Sequence, residues 1–337
     1  MRHHKNPRRR AEPRPISFFL FKRFASLLLT LLAASAVVFT VLDVLPGNAA
    51  EVMLGESATP ESVAALSARL GLDRPAPVRY GDWLRGLATG ELGTSIAYDT
   101  PIAALIGERL AVTVPLALMA MLLTTALALT LGLFAASHHG RAGDVGVMGV
   151  SQIGIALPSF WFGILLIWLF AVKLRWFSAG GFPGWDADAG GGIGSGLRAL
   201  VLPAVAQALV QASILARIVR SAVLDVLRED FVRTARAKGQ SPRGVLWGHV
   251  LRNAMVPVLT VVGLQFASLL AGTVVIEQVF SLPGLGRLVF QAIANRDLPV
   301  VRNVVMLLAA SIVVINFTVD VLYAVIDPRL RARARTT

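Results

Sequence analysis

Six long apolar stretches constrain this chain more than any other feature of its sequence. They cover residues 18–45, 110–137, 145–172, 197–218, 255–276 and 303–326. Each is long enough to cross about 30 Å of hydrocarbon at about 1.5 Å per helical residue. Because lipid offers no hydrogen-bond partner to backbone groups, such stretches must be helices. The sequence therefore predicts an all-α membrane protein with six transmembrane helices and both termini on the same side.

The first apolar stretch follows a basic segment, as a secretory signal would. Its uninterrupted part, residues 24–42, is longer than the roughly 7–15 apolar residues of a signal peptide, so we expect a retained helix. Residues 1–17 contain six Lys or Arg residues and three prolines. They predict a basic, disordered cytoplasmic arm that contacts anionic membrane lipid.

Lys and Arg residues are distributed unevenly between the two sides that this topology defines. The side with both termini and the connection between the fourth and fifth stretches holds 21 of the 32. The positive-inside rule places that side in the cytoplasm. The net charge of +12 is then explained without nucleic acid as a partner. Residues 46–109 are expected to form an extracytoplasmic segment, residues 110–326 a five-helix core and residues 327–337 a basic cytoplasmic tail.

No motif in the sequence supplies a chemical centre. The chain has no cysteine, no G-x-x-x-x-G-K-[ST] phosphate loop, no G-x-S-x-G turn and no HExxH helix. We therefore expect no catalytic residue, no metal site and no cofactor bound by this chain. Two acids, Asp43 and Asp320, fall within apolar stretches. Both lie within about two helical turns of the end of a stretch, which favours a structural role over proton transfer.

The connection between the fourth and fifth stretches, residues 219–254, is polar and prone to form helices. Helical spacing places Leu227, Phe231 and Ala235 on one face. Glycine and proline after this segment, at Gly239 and at residue 242, predict a turn. A short amphipathic helix of this kind either docks in a groove on a soluble protein or lies on the membrane surface. The residues alone favour neither.

Several segments of the chain resemble ABC importer permeases of the dipeptide, oligopeptide and nickel family. RTARAKG at residues 233–239 resembles the family's EAA loop. The other segments are VLDVLPG at 41–47, LGLDRP at 70–75, GELGTS at 90–95, ALPSFW at 156–161, EQVFSLPGLG at 277–286 and DVLYAVIDPR at 320–329. They follow the family's order from about residue 18 to residue 333. Arg233 stands where the general loop begins with Glu and Arg252 where it ends with Pro, departures that the peptide-type permeases share.

The resemblance implies a type I ABC importer architecture for the six helices, and the segment after the first helix resembles the first of two paired permeases. It implies a bacterial inner-membrane protein that forms a pore for dipeptides or oligopeptides. The implied partners are a homologous second permease, two cytoplasmic ATPase subunits that use ATP, and an extracytoplasmic solute-binding protein.

The resemblance also implies that the connection is the coupling loop that contacts the ATPases. The coupling residues would be Glu229, Asp230, Phe231, Arg233, Thr234, Ala235, Arg236, Ala237, Lys238 and Gly239. Among them, Phe231 and Ala235 are expected to form the packed face or groove contacts, and Gly239 the turn. Polar groups inside the stretches that could face the pore, or bond neighbouring helices equally well, are Gln265, Ser268, Asn316 and Asp320.

A stand-alone secondary transporter is the alternative function. That class requires ionisable residues at mid-membrane depth and commonly has inverted internal repeats. The sequence has neither feature, and it also lacks the paired catalytic residues of an intramembrane enzyme. We therefore favour the permease.

Overall fold

A computed structural model describes residues 16–44, 54–55, 58–69 and 71–326 of the chain. Over these residues it is helical apart from turns, irregular connections, of which the longest covers residues 174–192, and an isolated backbone pairing of Thr94 with Pro101. The helices are α1 (Ile16–Val44), α2 (Pro60–Arg69), α3 (Ala76–Thr89), α4 (Ile102–Ser137), α5 (Ala142–Ala156), α6 (Ser159–Leu166), α7 (Ile193–Leu227), α8 (Asp230–Ala237), α9 (Pro242–Val279), α10 (Leu285–Ala294) and α11 (Leu298–Ile326). α6 continues as a π-helix over Ile167–Lys173.

Five of these helices are long and apolar enough to cross a membrane, namely α1, α4, α7, α9 and α11. The pair α5 and α6 passes the same test when it is taken as one broken span, which brings the number to six. The all-α membrane fold that the sequence predicts is thus confirmed. Residues 16 and 17 belong to α1, while residues 1–15 and the tail at 327–337 lie outside the described residues.

The third span is not the single straight helix expected over residues 145–172. α5 and α6 meet at an angle of 99°. The break falls at Leu157, whose φ of −102° and ψ of 135° are extended, and at Pro158. A residue that precedes proline is pushed out of the helical region, and proline itself has no N–H to donate. The proline in the segment 156–161 therefore bends the span.

The fourth and fifth spans extend well beyond the residues that the sequence assigned to lipid. α7 runs to Leu227 and α9 begins at Pro242. The connection expected at 219–254 is consequently reduced to residues 228–241, here called the insert. At 35 residues, α7 is about 52 Å long, which exceeds the hydrocarbon thickness. Its last turns thus continue as a rigid support for the insert.

The centre of the bundle is built by α4 and α7, which pack on each other more extensively than any other pair of helices. Small residues allow this close approach. A Cβ on Gly132 would lie 2.7 Å from the Val219 side chain and 2.8 Å from the Ala216 carbonyl oxygen. Interfaces between helices in membranes favour such small residues because backbones can then come into contact.

One cluster of buried apolar side chains fills the end of the bundle that carries the insert. It joins α4, α7 and α9 to α8, which contributes Val232 and Ala235. A second cluster at the opposite end joins the start of α4 to α10 and α11. The insert is therefore part of the packed core at its own end of the molecule.

Candidate functional site

α8 is a two-turn helix with one buried and one exposed face. Val232 is fully buried and Ala235 is 9% exposed, and both pack into the cluster that includes Val245 and Val250 of α9. Val232 and Ala235 are three positions apart, so they lie on the same side of α8. The short helix is thereby fixed to the ends of α7 and α9, and it would move with them as one body.

Phe231 lies outside the packed face. The sequence placed Phe231 and Ala235 on one face, but the buried partner of Ala235 is Val232, and the Phe231 side chain is 42% exposed. The i, i+3 spacing of Val232 and Ala235 was the signal that could have identified this face. The exposed Phe231 ring is therefore available for contact with a partner.

The remaining predicted coupling residues surround Phe231 at the surface. They are exposed, and they comprise Glu229, Asp230, Arg233, Thr234, Arg236, Ala237, Lys238 and Gly239. Arg233 lies 3.4 Å from Asp230, with both side chains at least 75% exposed. Such a pair contributes little to stability in water. The structure thus brings together an apolar side chain and a rim of charges, while their role in coupling stays a prediction.

The turn after α8 forms at Gly239, as the sequence predicts. Its φ of +82° lies in the left-handed region, which residues with a Cβ adopt at a cost of about 1–2 kcal/mol. The Gly239 N–H donates to the Arg236 carbonyl oxygen at 2.9 Å. Ser241 then caps α9 by accepting from the Gly244 N–H at 3.2 Å. The chain reverses direction within four residues.

A buried ion pair fixes the end of α7 close to the insert. Asp144 in the first turn of α5 is 3% exposed. It accepts from Arg220 Nε at 2.6 Å and from Arg220 Nη2 at 2.7 Å. The Gly140 N–H donates to the same carboxylate at 3.0 Å, and His139 Nδ1 lies 3.2 Å away. This bidentate arrangement holds the α4–α5 turn against α7. Sequence reasoning missed it.

At the opposite end, the segment 277–286 folds around one buried carboxylate. Glu277 is fully buried and accepts from Thr113 Oγ1 at 2.6 Å and from the Gly286 N–H at 2.7 Å. Thr113 Oγ1 in turn accepts from the Leu285 N–H at 2.9 Å. The carboxylate therefore satisfies the first N–H groups of α10, which have no partner within that helix. A Cβ on Gly284 would overlap the Glu277 carboxyl group.

At this end, further hydrogen bonds hold the segment that is predicted to be extracytoplasmic, residues 46–109, to the start of α11. Asp297 is fully buried and accepts from Ser95 Oγ at 2.5 Å and from the Ala97 N–H at 3.1 Å. Trp83 Nε1 donates to Asn303 Oδ1 at 3.0 Å. The segment GELGTS at 90–95 is thus held to the bundle by its serine.

The four predicted pore-facing residues do not form one site. Gln265 is buried between α9 and α7 and donates to the Gln211 carbonyl oxygen at 3.3 Å. Ser268 is exposed on α9. Asn316 and Asp320 line a cleft between α11 and α1 instead. Whether any of them faces a pore stays a prediction.

The two acids inside the spans both have cationic partners. Asp320 lies 2.8 Å from Arg23, and Asp43 lies 2.7 Å from Arg79. These ion pairs support the structural role, rather than proton transfer, that the sequence predicts for both acids. Within the described part of the chain, no group of three or more His, Asp or Glu side chains is arranged to hold a metal ion.

Residues 128–332 match the family model described as "Binding-protein-dependent transport system inner membrane component". Residues 16–117 match the model of the corresponding N-terminal region.

Several curated relatives match over nearly their whole length. A Brucella abortus (strain 2308) protein, described as a peptide transport system permease, is 44% identical over 93% of this chain and 98% of its own. A di/tripeptide transport system permease from Pseudomonas aeruginosa (strain UCBPP-PA14) is 40% identical over 93% and 98%. A glutathione transport system permease from Salmonella choleraesuis (strain SC-B67) is 37% identical over 93% and 98%.

Proposed function

The chain belongs to the family of binding-protein-dependent transport system inner membrane components, and from that premise we propose that it imports short peptides. It is a pore-forming permease of an ABC importer and a multi-pass protein of the bacterial inner membrane. The family operates within transport systems that include other components. Relatives that are named for dipeptides, di/tripeptides and glutathione support a peptide substrate.

The partners in our proposal are those of a complete importer. A homologous second permease pairs with this chain, and an extracytoplasmic solute-binding protein delivers the peptide. Two ATPase subunits hydrolyse ATP, because this chain has no phosphate-binding loop of its own. The insert and both termini face the cytoplasm, in keeping with the excess of Lys and Arg on that side.

The insert transmits the movement of the ATPases in this proposal. The observation that carries it is the division of α8 into two faces. Val232 and Ala235 fix the helix to the core, while Phe231 extends from it into solvent. An ATPase groove that accepts Phe231 can then pull on α7 and α9 together. The same division argues against α8 as a membrane-surface helix, because charged side chains surround Phe231 and its apolar face is already covered by protein.

Replacement of Phe231 by alanine is expected to uncouple the importer without unfolding it. Aromatic side chains at the centre of an interface contribute about 2 kcal/mol or more, so ATPase docking should weaken by roughly 30-fold. The measurement is uptake of a labelled dipeptide into proteoliposomes that contain the purified importer, together with peptide-stimulated ATP hydrolysis. Both should fall at least about tenfold, while the thermal unfolding midpoint of the isolated chain stays unchanged.

Phe290→Ala is the matched control for this experiment. Phe290 is 46% exposed, close to the 42% of Phe231, but it lies on α10 at the other end of the bundle. Its replacement should leave ATP hydrolysis coupled to uptake. Normal uptake by Phe231→Ala, or an equal loss in both variants, would count against the insert as the coupling element.

A further inference from the structure

A cavity of about 510 Å³ opens at the end of the bundle opposite the insert. Its walls are the end of α1, the helix α3, the segment 91–96 and the start of α11. This volume lies within the range of sites for small ligands, about 300–1,000 Å³. The cavity is separate from the insert and from the four residues that were considered as pore-facing.

Most charges in this cavity are already paired with each other. Arg79 lies 2.7 Å from Asp43, and Arg74 lies 2.7 Å from Asp82. These four side chains line the cavity and contribute no net charge. Two other ionisable side chains line it as well, Arg302 and Glu91.

Arg302 is a cation without an anionic partner among the described residues. Its guanidinium lies 4.9 Å from the centre of the Trp83 ring and 5.8 Å from that of Phe39. Its Nε is buried and has no hydrogen-bond acceptor within the part of the chain that the structure describes. A buried donor without an acceptor is costly, and a carboxylate that entered the cavity would supply an acceptor for the Arg302 guanidinium.

The aromatic wall that supports Arg302 is itself held in place. Trp83 is 6% exposed, and its Nε1 donates to Asn303 on the next residue of α11. Phe39 stacks on Trp83 with ring centres 6.1 Å apart. The guanidinium therefore lies on a preformed surface. This reduces the conformational entropy that the site loses when a ligand binds.

Glu91 supplies the opposite charge. Its side chain is exposed, and it forms no ion pair with any residue in the described ranges. Among the described residues, the cavity thus contains one cation on an aromatic wall and one solvent-exposed carboxylate, neither of which is in an ion pair. A ligand complementary to both has a carboxylate and an ammonium group.

We infer that this cavity binds a small zwitterion, and a dipeptide is the probe for it. The carboxylate of the ligand pairs with Arg302, its ammonium group pairs with Glu91, and its apolar parts contact Trp83 and Phe39. An acidic side chain of a docked protein would satisfy Arg302 but would leave Glu91 without a partner. The inference goes beyond the proposed function, because binding here neither requires nor establishes transport.

The test is calorimetric titration of the full chain in lipid nanodiscs with L-alanyl-L-alanine. Its N-acetyl derivative lacks the ammonium group, and its amide lacks the carboxylate. Dialanine is expected to bind saturably, and each derivative should bind at least about tenfold more weakly. Arg302→Gln should lose at least about tenfold in affinity for dialanine, whereas Arg85→Gln should bind as the wild type does. Arg85 is an exposed arginine of α3 outside the cavity.

Several results would overturn the inference. They are the absence of saturable binding by the wild-type chain, equal binding of the three peptides, and unchanged affinity in Arg302→Gln. If Arg302→Gln lowers the unfolding midpoint of the chain, its weaker binding has a second explanation, and Glu91→Gln becomes the deciding variant. The Glu91 side chain is exposed, so its replacement should not destabilise the chain. Weaker binding by that variant supports the inference and unchanged binding contradicts it. No ATPase is present, so a negative result leaves the transport assignment intact.

Discussion

Gly286→Ala is expected to destabilise the folded chain strongly. A Cβ at this position would overlap the Val274 backbone and would lie 3.0 Å from Glu277 Oε2. Neither neighbour can move easily, because Val274 is part of a transmembrane helix and Glu277 is fully buried with three donors around it. The expected loss is about 3 kcal/mol of unfolding free energy or more.

The measurement is the yield of monodisperse protein after extraction into mild detergent, together with its thermal unfolding midpoint. Gly107→Ala is the matched control. Gly107 lies in helix α4, and a Cβ there would meet nothing within 4 Å. The control should be as stable as the wild type or slightly more stable, since alanine favours helix. Wild-type yield and midpoint for Gly286→Ala would show that α9 and α10 do not approach as closely as described.

Asp144→Ala and Arg220→Ala are each expected to destabilise the end of the bundle that carries the insert. Removal of either partner breaks charge-assisted hydrogen bonds in a partly buried pair, at a cost of about 1.5–3 kcal/mol. Asp144 is the more buried of the two, with a side chain 4% exposed against 23% for Arg220. Arg220→Ala should therefore have the larger effect, because the less exposed Asp144 carboxylate then keeps only the Gly140 N–H and His139 as partners.

The double variant distinguishes a specific pair from two independent losses. Asp144→Ala combined with Arg220→Ala should destabilise by clearly less than the sum of the single effects, with a coupling of about 1–3 kcal/mol in equilibrium unfolding. Arg233→Ala provides the control. Arg233 is 75% exposed and forms its ion pair with Asp230, so the free energy of unfolding should stay within about 1 kcal/mol of the wild type. Additive effects of the two single substitutions would contradict the pairing.

The sequence predicted the membrane-spanning architecture well because it rests on local properties. Hydropathy over about 20 residues identifies a span whatever its neighbours are. The same local reasoning predicted the turn at Gly239, whose φ is +82°. The bend of the third span was also accessible, since Pro158 is visible in the sequence.

The buried polar contacts could not be predicted, because they join residues far apart in the chain. Glu277 and Thr113 are 164 positions apart, and Arg220 and Asp144 are 76 apart. Periodicity reports which face of a helix is apolar and gives no information on which helix covers it. On α8 the predicted Ala235 is buried, but its buried neighbour is Val232, and Phe231 is left exposed.

The central claim is that α8 contacts the ATPase through the face that carries Phe231. The chain has no native cysteine, so an introduced thiol is its only one. Phe231→Cys and Phe290→Cys place that thiol at similarly exposed positions at opposite ends of the bundle. In the assembled importer, a short thiol-specific photocrosslinker should join the Phe231→Cys chain to the ATPase subunit and should not join the Phe290→Cys chain to it. A contradiction would be an active importer in which the ATPase is not crosslinked from position 231, or is crosslinked equally from position 290.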